Sequence, residues 1–259
     1  MSKKKNSNLP FTIKLVVATL LMAFLAFSIM NKNESHLTKV SIKIKTRSDK
    51  KYLISKKEVR QLLVEKLGYD LSIAHIDQLD LLELESHLEA DDRINRAEMF
   101  IDKHNKMVIG IIQNLPIVRV DVTGGEDYYL DAAGEKIPRT GDALLVPIVT
   151  GSVDKYEQDF KSKKENNLNY VLALSNLLYD DEILGKLIDQ IHVDENDEIV
   201  IVPRMGRQHI NLGPAEGLND KMYKLKTYYK NGIKNIGIDR FDKLDLQYTG
   251  QIVGSKSES

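Results

Sequence analysis

The side chains able to do chemistry are scattered along this chain rather than gathered into a signature. Six histidines, His36, His75, His87, His104, His192 and His209, are the first candidates for metal ligation or proton transfer. None forms an H-E-x-x-H or H-x-H pair. Glu83 and His87 stand at i, i+4 on one helix face, and read as an ordinary surface pair. Asp180-Asp181-Glu182 reads as a helix break with a new N-cap. Asp194–Glu198 reads as a hairpin turn and lacks the ligand spacing of a calcium loop. Gly124-Gly125 has neither the following helix nor the lysine of a phosphate loop. Pro203-Arg204-Met205-Gly206-Arg207 sets two arginines at a tight turn, where an anion could bind but a solvated turn is the plainer reading. No serine stands in a G-x-S-x-G context. The chain has no cysteine. That excludes thiol catalysis, cysteine zinc sites, lipid acylation of a lipoprotein and disulfides. Catalytic carboxylates need no local signature, yet nothing here favours an enzyme, and no metal or cofactor is expected.

Binding, rather than catalysis, therefore directs attention to the elements. Residues 11–30, FTIKLVVATLLMAFLAFSIM, form the one long apolar run in the sequence. As a helix they would extend about 30 Å, the thickness of a bilayer core. Lys3, Lys4 and Lys5 precede the run, and the positive-inside rule keeps that end cytoplasmic. Lys14 is the only charge within it, one turn from the cytoplasmic end. A cleavable signal peptide is the alternative, with Ala26 and Ser28 flanking the cut. The run is longer than a usual signal core, and no A-x-A follows it. The net charge of −1 splits into +4 on Lys3, Lys4, Lys5 and Lys14 and −5 over residues 31–259. A mildly acidic exported part with no basic block argues against nucleic acid as partner.

Residues 31–37 read as a linker. Val40–Lys45 alternates as a half-buried strand does. Ser55 and Glu58 form a capping box, opening a helix with Val59, Leu62, Leu63 and Leu67 on one face and Gly68 as its stop. Leu79, Leu82, Leu84 and Leu88 mark a second helix, capped by Asp77 or Asp80. Ala97–Ile101 and Met107–Ile112 are strands joined at His104-Asn105. The order is β-α-α-β-β, a small α+β unit over residues 38–113.

A strand-rich β domain with flanking helices is expected over 114–250. Its strands are Ile117–Val122, the hairpin Tyr128–Leu130/Lys136–Ile137, Leu144–Val149, Gln190–Val193, Glu198–Val202, Gln208–Leu212, Ile236–Arg240 and Leu244–Thr249. Its helices are Asn166–Tyr179, continued by Ile183–Ile188, and one capped by Asn219 or Asp220 with Met222, Leu225 and Tyr229 inward. A polar tail is expected over 251–259.

This order, with a single N-in anchor ahead of it, resembles the FtsQ/DivIB family of bitopic bacterial cell-division proteins. Residues 54–112 look like a POTRA domain. Gln113-Asn114-Leu115-Pro116-Ile117 is similar to the family's R-x-P junction. Tyr129-Leu130-Asp131-Ala132-Ala133-Gly134-Glu135 resembles its Y-L-x-D-x-x-G hairpin, and Val146-Pro147-Ile148-Val149-Thr150-Gly151 its L-P-V-L-T-G. Ile201–Gly206 and His209–Gly213 look like the strand pair before the last helix, and Lys221–Tyr229 like that helix. Leu244-Asp245-Leu246-Gln247-Tyr248 resembles the terminal V-D-L-R-Y, with Gln247 in place of the usual basic residue. The style is that of Bacteroidetes-type members.

The resemblance implies a non-catalytic scaffold of the inner membrane and division septum, with its C-terminal domains periplasmic. It would recruit FtsB and FtsL, with FtsK and FtsW/FtsI as further partners, and so regulate septal peptidoglycan synthesis. The alternation of Leu244, Leu246 and Tyr248 with Asp245, Gln247 and Thr249 supplies a physical route. One face packs on the core while a terminal strand leaves an edge for strand addition. The partner-binding residues expected from the resemblance are Leu246, Tyr248, Thr249, Gln251, Ile252 and Val253. The alternatives are a generic envelope adaptor with a POTRA domain and a cleaved periplasmic enzyme. An outer-membrane assembly protein would need a long alternating barrel, which these residues do not supply.

Overall fold

The computed structural model describes residues 11–33, 36–45, 52–122, 124–140, 143–163, 165–233 and 237–256, and within the first helix the side chains of residues 15–27 only. The basic triplet Lys3–Lys5, the Lys14 side chain and Ile236 lie outside the described residues. The chain divides into two compact units. One takes in residues up to Lys45, Ser55–Asp91 and Arg96–Ile112. The other takes in Gln113–Ser259 together with the segment ending at Ile54 and Asp92–Asn95. The fold is mixed α+β.

The first unit contains α1 (Phe11–Asn33), β1 (Lys39–Lys45), α2 (Lys56–Leu67), α3 (Leu81–Glu89), β2 (Ile94–Ile101) and β3 (Lys106–Gln113), except that Ile94, Asn95 and Gln113 belong to the other unit. Leu15, Leu20, Met22 and Phe24 of α1 are exposed. The described side chains of α1 cover residues 15–27 only, and among the described residues no helix is long and apolar enough to cross a membrane.

The capping box forms as expected: the Glu58 amide donates to Ser55 Oγ at 3.2 Å, and the Ser55 amide to Glu58 Oε2 at 2.8 Å. Asp80, not Asp77, caps α3 by accepting from the Glu83 amide at 3.1 Å. Asp77 falls in a separate 3-10 turn. Leu84 and Leu88 are buried, whereas Leu82 points to solvent. Strand order is β1-β3-β2, with β1 parallel to β3 and Ile42 opposite Ile109. Met107, Ile109 and Ile111 form the buried face of β3, with Ile94, Ala97 and Met99 the buried residues of β2.

Among the described residues the second unit has nine strands. They are β4 (Pro116–Val120), β5 (Tyr128–Asp131), β6 (Lys136–Pro138), β7 (Ile148–Gly151), β8 (Ile188–Val193), β9 (Ile199–Pro203), β10 (His209–Gly213), β11 (Lys243–Asp245) and β12 (Val253–Ser255). Their order is β12-β11-β10-β9-β8-β7-β4-β5-β6. Parallel neighbours need crossovers. The β7–β8 joint is crossed by α4 (Leu168–Asp180) and α5 (Glu182–Leu187), and the β10–β11 joint by α6 (Leu218–Thr227). Leu168, Val171, Leu174 and Leu178 of α4, Leu184 of α5 and Met222 and Leu225 of α6 share one core with Val118, Val149, Ile191, Ile201, Ile210 and Leu244. A small second cluster gathers Tyr129 and Ile137 with Leu53.

Four expectations are corrected. Leu144–Val149 is a strand only from Ile148, because the Val146 amide turns back to Leu144 O and Pro147 has no amide to donate. The last helix starts from Gly217 at φ +66° rather than from a side-chain cap at Asn219 or Asp220. Ile238–Arg240 is a 3-10 turn, not a strand. The terminal strand Leu244–Thr249 is only Lys243–Asp245 long, and residues 253–255 of the expected polar tail form β12 against it.

Candidate partner-binding edge

The residues that looked chemical have local duties. Glu83 pairs with Lys66 at 2.7 Å and His87 Nε2 lies 3.2 Å from Leu62 O, so each ties α3 to α2 rather than to the other. Asp181 Oδ1 accepts from the amides of Ile183 and Leu184, capping α5, and Oδ2 takes Lys226 Nζ at 2.5 Å. Burial alone would raise the Asp181 carboxyl, but Lys226 and the two amides hold it below its ordinary value. Asp194 Oδ1 accepts from the Asn196 and Glu198 amides as a turn residue does. Arg204 lies 3.5 Å from Asp189. Among the described residues no group of three His, Asp or Glu gathers as a metal-ligand set.

Among the described residues, the sheet edges carry unpaired backbone groups. A bare edge is a row of unpaired donors and acceptors. Two sheets leave four edge strands, β1, β2, β6 and β12. Three carry an obstacle. β1 carries Lys39, Lys43 and Lys45, all exposed. β6 is three residues long and ends in Pro138, which has no amide to donate. On β2, Glu89 Oε1 accepts from the Ala97 amide at 3.0 Å and Glu85 Oε1 from the Met99 amide. Two glutamates one turn apart on α3 thus occupy the donors a visiting strand would use. Alanine at both Glu85 and Glu89 is expected to leave the chain folded but self-associating at micromolar concentration, read by light scattering after gel filtration. A monomeric double variant would show that the glutamates do not guard this edge.

β12, among the described residues, is as short as β6 but carries no row of lysines, no proline and no glutamate on its amides. It pairs antiparallel with β11, with Val253 opposite Asp245, Gly254 opposite Leu244 and Ser255 opposite Lys243. β11 therefore has neighbours on both sides, and the expected free edge at Leu244–Thr249 moves one strand outward.

The predicted residues fall into two groups. Leu246 is fully buried, and its amide donates to Asn211 O at 2.9 Å, so its side chain is an anchor and not a contact surface. Ile252 is half-buried against the core. Tyr248 and Val253 are 53% and 44% exposed, and Thr249 and Gln251 are also exposed.

The loop between β11 and β12 is held from α6. Lys224 Nζ donates to Leu246 O at 3.1 Å and Tyr248 O at 2.6 Å, and pairs with Asp220 at 3.3 Å. Beneath it, burial, with the Lys224 charge adding to it, lowers the pKa of the Lys221 ammonium below the usual lysine range. Buried Gln208 clamps the far end of α6, donating to Ile238 O at 2.8 Å and accepting from the Tyr229 hydroxyl. Burial, and then the neighbouring Tyr228, push the Tyr229 hydroxyl up in pKa.

Sequence reasoning missed two contributors. One is β12 beyond Val253, although the glycine at Gly250 already marks a turn after the terminal strand. The other is a groove of about 380 Å³ beside it, lined by Tyr223, Thr227, Tyr228, Gly250, Gln251 and Ile252. Tyr223 is 71% exposed. An edge strand flanked by exposed tyrosines suits an extended peptide: main-chain bonds give affinity and the tyrosines give anchoring area.

A family model described as FtsQ/DivIB, C-terminal related, matches residues 115–255. The match runs from the residue before β4 to the last residue of β12. No curated protein matches the chain.

Proposed function

Because the chain belongs to the FtsQ/DivIB, C-terminal related family, we propose that it is a non-catalytic cell-division scaffold that binds a partner by strand addition on β12. The family carries the cell-division role and the association with the septum. The finer reading names FtsB and FtsL as the first partners, with FtsK and FtsW/FtsI beyond them, and regulation of septal peptidoglycan synthesis as the outcome. Its main support is that β12, unlike the other described edge strands, carries no lysine row, proline or amide-capping glutamate.

In this reading α1 is a single-pass inner-membrane anchor with a cytoplasmic N-terminus, and the chain beyond it is periplasmic. The continuous helix from Phe11 to Asn33 and its exposed apolar side chains support the anchor. The β-α-α-β-β order supports a POTRA-like domain over 38–113. A tether of this kind raises the effective concentration of single-pass partners at the edge.

The decisive measurement is hydrogen exchange on the full chain with and without the FtsB of the same cell. Slowing of at least about tenfold is expected at the amides of Val253–Ser255. Unchanged exchange there, with FtsB bound, overturns strand addition at β12. A fluorescent fusion is expected at midcell, and a uniform envelope signal in dividing cells would favour an adaptor outside division. Mass spectrometry of the membrane fraction separates an intact anchor from cleavage near Ala26 and Ser28.

A further inference from the structure

The outer face of the three-stranded sheet carries positive charge that the fold does not use. Lys39, Ser41, Lys43 and Lys45 share this face by strand alternation. The parallel register sets them opposite Lys106, Val108, Gly110 and Ile112. Lys39 thus stands directly against Lys106, a like-charge arrangement that weakens a sheet unless counter-charge is supplied. Asp102 is the carboxylate in the field of Lys106. Lys39, Lys43 and Lys45 are exposed and have no ion-pair partner among the described residues. Arg96 and Glu98 of β2 pair with each other at 3.0 Å and cancel.

Apolar side chains share this face: Ile112 of β3 stands opposite Lys45, and Phe100 lies on β2, at the other edge of the sheet. Phe100 is 56% and Ile112 37% exposed. A row of lysines beside exposed apolar side chains fits the boundary between lipid phosphates and acyl chains.

The chain also keeps this face close to the end of α1. The Leu37 amide donates to Ala74 O at 3.4 Å and the Thr38 amide to Asn105 O at 2.9 Å, so the backbone is docked before β1 begins. From Asn33 to Leu37 an extended chain spans at most about 14 Å.

We propose that the outer face of the β1-β3-β2 sheet docks on the bilayer that holds α1 and binds the phosphates of anionic lipid headgroups through Lys39, Lys43 and Lys45. This rests on α1 being a membrane anchor. The row of lysines then does two things at once: it holds the first unit on the membrane surface and keeps β1 from pairing with another strand. An acidic protein segment is the competing occupant.

The chain has no cysteine, so single labels are unique. The full chain carrying S41C, labelled with a fluorophore, is placed in nanodiscs of phosphatidylcholine with or without phosphatidylglycerol, with a headgroup quencher. A second chain carrying A18C, with an acyl-chain quencher, reads the anchor alone. Quenching at position 41 is expected to be about twofold stronger with phosphatidylglycerol, and to be lost in high salt and in K39Q/K43Q/K45Q. If position 18 is quenched while position 41 responds to neither lipid, salt nor the glutamines, headgroup docking is wrong and the anchor stands. If position 41 changes only when an acidic protein is added, the face serves that partner instead. If position 18 is not quenched, the anchor reading fails and takes the proposal with it. Circular dichroism of each variant confirms the fold.

Discussion

Valine at Gly254 is expected to weaken partner binding by at least about 30-fold while leaving the rest of the second unit folded. A Cβ at Gly254 would lie 2.6 Å from Cγ and Cδ2 of Phe241. That ring is packed against the main core and has little room to yield. Overpacking of this kind costs about 1–3 kcal/mol. β12 is three residues long and is held by three register pairs. At about 1 kcal/mol net per hydrogen bond, such a strand is easier to detach than the ring is to move. Its departure leaves β11 as the outermost strand, with the Lys224-held loop unsupported beyond it. Calorimetric titration of the FtsB segment onto the variant measures the loss. Phe241→Ala in the same chain vacates the space and is expected to recover most of the affinity. Wild-type binding by G254V alone would sink the edge at β12.

A second large effect is expected in the middle of the same sheet. Gly151→Ala should cost more than about 4 kcal/mol, enough to leave the second unit largely unfolded. Gly151 ends β7 at φ +96°, a conformation costly for any residue with a side chain. Its added Cβ would stand 2.0 Å from Val193 O. That carbonyl cannot swing away, because it already accepts from the Ser152 amide at 2.8 Å and Val193 is the register partner of Gly151. Val149 and Val193, on the strands meeting here, are both buried in the main core. Urea denaturation followed by circular dichroism reads the change. A loss under about 1 kcal/mol would mean that the β7–β8 joint is far more pliant than its hydrogen bonds imply.

These two glycines mark the boundary of what the residues declare on their own. Ser55 with Glu58, and Asp181 ahead of Ile183 and Leu184, declare helix starts because donor and acceptor lie within three residues of each other. The alternation in Lys39–Lys45 and the turn at Asp194–Asp197 are equally local, and the structure places strand and turn there. Leu82 shows the limit of periodicity: it fits the apolar pattern of α3, yet it lies 76% exposed because no element covers that side of the helix.

The proposed binding edge is only half legible in the sequence. Tyr248 and Val253 lie at it, but Leu246, one of the residues expected to bind, is buried under it. Alternation tells which residues share a face; it does not tell how many strands follow. Val253-Gly254-Ser255 is too short and too plain to be a strand by its own propensity. It is one because β11 and the Phe241 ring wait for it. Likewise Glu85 and Glu89 have the spacing of any solvated helix face, and only the approach of β2 turns them into guards of its amides.

The sequence by itself determined the apolar segment 11–30, the absence of thiol chemistry, most helix and strand centres and the membership signalled by motifs spread along the second unit. Each of those depends on composition or on contacts a few residues apart. The tertiary structure alone decided which strands are neighbours, which of four edges stays open and where the unpaired lysines converge. Those depend on pairing between residues far apart in the chain, whose energies appear only once the backbone has closed the loops between them.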